Sequence, residues 1–387
     1  MKVDAAIVGI GSSVFGRGLP QSQLALAAVA FKEALEDSGL SRDQVDGLAI
    51  NLGWPLGLDY DRVAEAFGLD VRYVNQTWLH GRFTGLSLQN AALAVSAGLA
   101  DVVACVAAVS FTRQRHMLAG PGDMEGTREE GGSHGESPPF GMTSPAGGSA
   151  MAMQRYMALY GATSEQLAAV PIALRKHARL NPRAVMTQPM DLKTYMAARP
   201  IAEPLRLFDC SIITDGAVVA FVTTSERARD LRQKPVRIAG MHGICSGREE
   251  FMNAPRGLGI NQQTTRRDPV RETDLSAFRT AGIDRSDIDG LYTYDSFSPA
   301  VLFALERFGY CGPGEAAEFV QDGRIELGGE LPVNTNGGLL SEAHIGGWNS
   351  IAEIVRQLRG TAGSTQIPDA RWLQWGTVRG DAVVFGA

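Results

Sequence analysis

Gly39-Leu40-Ser41-Arg42-Asp43-Gln44-Val45-Asp46-Gly47-Leu48 returns in the second half of the chain as Gly282-Ile283-Asp284-Arg285-Ser286-Asp287-Ile288-Asp289-Gly290-Leu291. In both copies an amphipathic run precedes the first glycine, Leu24 to Ser38 and Thr273 to Ala281. Glycine is the residue that ends a helix in the left-handed conformation, and an apolar Val/Ile-Asp-Gly-Leu run then enters a strand. A second echo pairs Asp215-Gly216-Ala217-Val218-Val219-Ala220-Phe221 with Gly380-Asp381-Ala382-Val383-Val384-Phe385. Each half therefore closes on a similar apolar strand. Two copies of so large a unit are too few for a solenoid, so the pattern predicts two α/β halves related by a pseudo-twofold axis. The join falls between Arg227 and Pro235, giving an N-terminal half 1–230 and a C-terminal half 231–387.

Working outward, 387 residues with 44% hydrophobic and 20% charged side chains suffice for two packed cores. A formal net charge of -6 argues against a nucleic-acid partner, which needs a dense Lys/Arg surface to displace counterions. No run of eighteen uncharged apolar residues predicts a membrane span, and the strand-like start at Ala5-Ala6-Ile7-Val8 does not read as a secretion signal. The expected location is the cytoplasm. Cys105, Cys210, Cys245 and Cys311 are scattered without a C-x-x-C pair, so no metal site is expected on this chain.

A loop and helix insertion, about 111–205, interrupts the first half. It holds the Gly/Ser/Pro-rich stretch Gly120 to Gly148, a segment Ser149 to Lys176 that reads as helical, and His177-Ala178-Arg179-Leu180-Asn181-Pro182 as its end. The cluster Arg175-Lys176-His177-Ala178-Arg179 reads as a solvated helix face or as a contact for CoA phosphates. His116, His134, His177 and His242 lack metal-ligand spacing and read as surface or structural.

The repeat, the run Tyr156 to Pro182, Cys210 with Thr214-Asp215-Gly216-Ala217, and Asn334-Thr335-Asn336-Gly337-Gly338-Leu339-Leu340-Ser341-Glu342-Ala343-His344-Ile345-Gly346-Gly347 together resemble the thiolase superfamily, in its sterol-carrier-protein-x branch. The resemblance covers essentially the whole chain. It implies the thiolase fold, two halves in a five-layered αβαβα arrangement, and an acyl-CoA thioester as substrate.

Thiolases park an acyl group on a cysteine at the start of a buried helix. That helix start corresponds to Leu79-His80-Gly81-Arg82-Phe83-Thr84, and no cysteine occurs anywhere before Cys105. Cys105 itself lies in an apolar strand-like run, where a thiol stays protonated and inert. The C-terminal loop, Leu373-Gln374-Trp375-Gly376-Thr377, lacks the second proton-transfer group. His344 stands at the catalytic histidine position, flanked by Ala343 and Ile345 where the usual motif has Gly and Pro. In Leu291-Tyr292-Thr293-Tyr294-Asp295-Ser296-Phe297, Tyr294 takes the position of an Asn or His. Loss of the cysteine with gain of this tyrosine resembles the thiolase-like aldolases that shorten steroid side chains, which work with a partner carrying an OB-fold and a zinc ribbon.

Retro-aldol cleavage of a β-hydroxyacyl-CoA suits these residues, because it needs proton transfer and an oxyanion site but no covalent carrier. The products would be a ketone plus propionyl-CoA or acetyl-CoA. His344 and Tyr294 are the expected pair, with His344 preferred as base and Tyr294 as donor; a free phenol needs a relay or a lowered pKa to act as base. Tyr292, two residues away, would share Tyr294's side of a strand and stands in reserve. His80 is read as pocket wall or participant, and backbone N–H groups near Gly81, Gly337 and Gly338 as donors to the thioester oxygen. The resemblance further implies a homodimer, and a heterotetramer with the zinc-carrying partner. Two rivals stand beside the aldolase: an atypical thiolase or acyltransferase using Cys210 or Cys245, and a non-catalytic acyl-CoA-binding subunit.

Overall fold

The computed structural model describes residues 3–53, 57–77, 83–114, 144–245 and 275–387. Its strands are β1 (Ala6–Ser12), β2 (Gly47–Asn51), β3 (Tyr73–Thr77), β4 (Val102–Ser110), β5 (Pro200–Ala202), β6 (Leu205–Arg206), β7 (Asp215–Thr223), β8 (Val236–His242), β9 (Gly290–Tyr292), β10 (Trp372–Gly376) and β11 (Ala382–Gly386). The helices are α1 (Gln23–Ser38), α2 (Tyr60–Phe67), α3 (Thr84–Ser96), α4 (Pro145–Tyr160), α5 (Ser164–Leu180), α6 (Leu192–Met196), α7 (Ser225–Ala228), α8 (Ser276–Ala281), α9 (Pro299–Arg307), α10 (Ala316–Phe319), α11 (Gly338–Ser341) and α12 (Trp348–Arg359).

Hydrogen bonding orders the main sheet β3-β2-β4-β7-β1-β8-β11-β10-β9. The order is its own mirror. β1 runs antiparallel to β7, β7 antiparallel to β4, and β2 parallel to β4. In the second array β8 runs antiparallel to β11, β11 antiparallel to β10, and β9 parallel to β10, with Leu291 bridging Val333 in place of a fifth strand. The arrays meet where Ala6 and Ile7 of β1 face Arg237 and Val236 of β8.

Covering both faces explains why β4, β7 and β11 are buried along their whole length and almost wholly apolar instead of alternating. Val103, Cys105, Ala107 and Val109 of β4 pack in one core with residues of α3 and α12, while Val102, Ala104, Val106 and Ala108 pack against α1. The central core also takes Tyr292, Leu373, Trp375, Val383 and Phe385 from the second array. Ala277 and Phe278 of α8 cover that array's outer face, with Leu291, Ala382 and Val384. The layers are thus α1, first array, α3 with α12, second array, and α8.

The repeated glycines behave as the sequence predicts, since Gly39 and Gly282 cap α1 and α8 at φ 76° in both cases. A further pair emerges from the packing. At Gly11 of β1 a Cβ would collide with the Ala30 carbonyl oxygen of α1, and at Gly240 of β8 it would collide with the Ala277 carbonyl oxygen of α8. Both helices cross their strands at backbone contact. Gly240→Ala should therefore cost at least the roughly 1–3 kcal/mol of an overpacked core. Gly282→Ala, where a Cβ meets open space and only the left-handed backbone objects, should cost about 1–2 kcal/mol. Thermal melting of the two variants checks the ranking, and a larger loss at Gly282 would refute it.

The insertion corrects one expectation. In place of one helix from Ser149 to Lys176 there are two, because Gly161 ends α4 at φ 73° and Thr163 with Gln166 forms a capping box that starts α5. Most of the stretch Gly120 to Gly148 lies outside the described residues.

Candidate active site

Tyr294 and His344 are brought together. The Tyr294 hydroxyl lies 3.0 Å from His344 Nε2, and the Ser211 hydroxyl lies 3.3 Å from Nδ1. The imidazole is thus held at both nitrogens, with the Phe111 ring 5.2 Å from it, centre to centre. Both members of the pair are partly buried.

Each residue sits where it does for a local reason. Tyr294 follows the end of β9, where the Asn334 side chain clamps Thr293: the Thr293 N–H donates to Asn334 Oδ1 at 2.9 Å and Asn334 Nδ2 donates to the Thr293 carbonyl at 3.1 Å. Next along, the buried Asp295 carboxylate accepts from the N–H groups of Leu339 and Leu340 at 2.9 and 3.2 Å, joining the tyrosine loop to the turn that leads to His344. The His344 N–H then donates to Thr214 Oγ1 at 2.8 Å. The segment bearing Ser211 and Thr214 is itself laced to both loops, through Ser211 N–H to the Ser296 carbonyl and Ile212 N–H to the Leu339 carbonyl. Asp215 accepts from the Leu19 and Thr112 N–H groups, which fixes the loop carrying Phe111.

Burial sets the charge state. Desolvation penalises the imidazolium and pulls the His344 pKa down to about 4, so the ring is neutral at physiological pH and carries one proton on one nitrogen. If Nδ1–H donates to Ser211, Nε2 is free to accept the phenolic proton; the opposite tautomer reverses both bonds. Asp295 and Glu342 are pushed up to about 7, again by burial. Glu342 accepts from Asn181, Asn336 and Asn349, which ties the end of α5, the Asn-Thr-Asn-Gly-Gly turn and the start of α12 to one carboxylate.

A base with this pKa has a clear pH signature. If His344 acts as the base, its neutral form is the competent one, so kcat should hold as pH falls from 7 toward 5 and decline only near 4, where an ordinary histidine would decline near 6.5. His177, also pulled down to about 4, and His344 both bind protons more readily unfolded than folded. Their contribution to stability is present above about pH 6.5 and is lost as pH falls toward 4. Circular dichroism at each pH separates unfolding from titration, and an acid limb in kcat centred above pH 6 would contradict the assignment.

Other sequence candidates lie elsewhere. Tyr292 is fully buried in the central core, its hydroxyl 2.6 Å from Thr335 Oγ1, because β9 ends at Tyr292 and strand alternation does not extend to Tyr294. Gly337 and Gly338 do not present free donors: Gly337 N–H bonds the Asn334 carbonyl and Gly338 N–H bonds Asn336 Oδ1. They are glycine because a Cβ would strike Ala178 at the first and the Asp295 carboxylate at the second, both with positive φ. His80 and Gly81, with His116 and His134, lie outside the described residues. The cluster at the end of α5 divides: Lys176 and Arg179 are exposed, as a solvated face requires, whereas Arg175 is buried on Ser341 and the Gln188 carbonyl, and His177 bonds the Asn334 carbonyl and the Leu327 N–H.

At the start of α3, Thr84 is buried and its hydroxyl donates to the Gly346 carbonyl at 2.7 Å. The Trp375 indole packs against both Gly85 and Gly347. Cys105 is fully buried, and the Cys210 thiol is pushed up to about 12 by burial, 3.7 Å from the Arg206 carbonyl. None of these groups offers a ready nucleophile beside His344.

Residues 258–384 match the family described as thiolase C-terminal domain-like. Over 369 residues, 92% of each chain, the sequence is 40% identical to the 17-hydroxy-3-oxo-4-pregnene-20-carboxyl-CoA lyase of Mycobacterium tuberculosis. It is 37% identical over 372 residues to a steroid side-chain-cleaving aldolase of Thermomonospora curvata, covering 92% of this chain and 91% of that one. This chain belongs to the thiolase-fold steroid side-chain-cleaving aldolases. It is a carbon–carbon lyase by family. The fold agrees with that of the Ltp2-ChsH2(DUF35) aldolase, at a TM-score of 0.85 and 34% identity, covering 100% of this chain and 98% of that one. The human mitochondrial 3-ketoacyl-CoA thiolase shares the fold alone, at a TM-score of 0.67 and 14% identity.

Proposed function

We propose that this aldolase cleaves the Cα–Cβ bond of a steroid side-chain β-hydroxyacyl-CoA, releasing a ketone and propionyl-CoA or acetyl-CoA, with Tyr294 and His344 moving the proton. The observation that carries the reading is the 3.0 Å contact between the phenol and a neutral imidazole. The substrate hydroxyl gives its proton to this pair, with His344 Nε2 as the receiving base. The Cα–Cβ electrons pass into the thioester enolate as the carbonyl of the ketone forms. The same proton then returns to Cα, so nothing is consumed and no enzyme-bound acyl group arises. Desolvated imidazolium is a poor place for a proton to rest, which favours its return.

The reading includes a homodimer, an OB-fold and zinc-ribbon partner that completes a heterotetramer, the halves 1–230 and 231–387 as repeats, and a cytoplasmic location. The neighbour named as a complex with ChsH2(DUF35) supports the partner. Among the described residues no helix is long and apolar enough to cross a membrane.

The test is to mix the chain, alone and with such a partner, with a panel of branched β-hydroxyacyl-CoA thioesters and to analyse products by mass spectrometry. A ketone with propionyl-CoA or acetyl-CoA supports the reading. Stoichiometric acylation of the protein during turnover would end it.

A further inference from the structure

Outside the aldolase pair, three chemically active side chains converge at the end of β8. The Cys245 sulfur lies 3.3 Å from His242 Nε2, and the Ser276 hydroxyl lies 2.7 Å from His242 Nδ1. A thiol, a base and an oriented third group in hydrogen-bond sequence form the geometry of an activated nucleophile. Ser276 is the first residue of α8, so this constellation spans an array and its covering helix.

Its framework is firm on the opposite side. His242 pairs with Ala382 across β8 and β11, and its carbonyl accepts from Gln89 of α3 at 2.7 Å. The Cys245 N–H donates to the Arg379 carbonyl at 2.9 Å, in the turn between β10 and β11. Cys245 is partly exposed. The remaining cysteines differ. Cys105 is sealed in β4, and burial, with Asp209 nearby, disfavours the Cys210 thiolate. Cys311 is half-buried.

We propose that Cys245, His242 and Ser276 form a second reactive centre, a thiol that exchanges with small disulfides. Nδ1–H donates to Ser276, which leaves Nε2 to accept the thiol proton. The sulfur attacks one sulfur of the disulfide, a new S–S bond forms as the old one breaks, and the departing thiolate takes the proton from the imidazolium. The small disulfide is the oxidant, and the exchange needs no other. A free cysteine is only a few per cent thiolate at neutral pH. Transfer of the proton to His242 therefore favours the attacking thiolate, partly offset by its weaker intrinsic nucleophilicity.

The experiment follows the reaction of the full chain with dithiobis(nitrobenzoate), by thiolate release and by peptide mapping of the mixed disulfide. The first and fastest adduct should map to Cys245, and Cys245→Ser should abolish that phase. His242→Gln should slow it about tenfold or more, and Ser276→Ala should slow it less. Circular dichroism checks that each variant is folded; if His242→Gln is not, the mapped rates of Cys245 and Cys311 in the unaltered chain decide alone. Labelling of Cys245 no faster than Cys311, or an unchanged rate in folded His242→Gln, would overturn the proposal.

Discussion

Tyr294→Phe should lower kcat by about a hundredfold to ten-thousandfold, the range contributed by a positioned proton-transfer group. In barrier terms that is about 3–5 kcal/mol. The fold should scarcely notice, because the phenol is partly buried at a loop and its hydrogen bond to His344 is worth about 1 kcal/mol in stability. KM should change little, since the ring and its packing remain. Steady-state kinetics with thermal melting checks both halves of the expectation. Turnover within threefold of the original would remove the tyrosine from the chemistry.

His344→Gln should fall in the same range and for a linked reason. The glutamine side chain keeps much of the volume beside Phe111 and can bond either Ser211 or Tyr294, but it cannot take up a proton. If the two residues act as one unit through their 3.0 Å contact, the double variant should be no slower than the slower single variant. Independent action would instead multiply the losses. A cycle of four proteins, assayed for release of the short acyl-CoA, distinguishes these outcomes, and fully multiplicative losses would break the coupled mechanism.

Much of the architecture was legible because its punctuation is local. Gly39 and Gly282 end their helices through a backbone conformation that glycine alone adopts without strain, and the apolar runs of β7 and β11 declare strands covered on both sides. The break between α4 and α5 was missed because apolar spacing continues across Gly161. The histidine and tyrosine were legible through a motif. Their supports were not: Ser211, Thr214, Asp295 and Phe111 come from segments remote in sequence, and no periodicity links them. The turn glycines misled because their lack of a side chain serves packing on Ala178 and Asp295. Tyr292 misled because a pleat was extended past the last residue of its strand.

The uncharged state of His344 carries a consequence for inhibitor chemistry. Above about pH 5 its ring offers no cation, so an acidic warhead aimed at this imidazole gains no ion pair and still sheds its hydration on entry. Neutral mimics that both donate and accept hydrogen bonds, such as a hydrated ketone or a tertiary alcohol at the β-carbon, match the phenol and the uncharged imidazole and should outrank carboxylates of the same size.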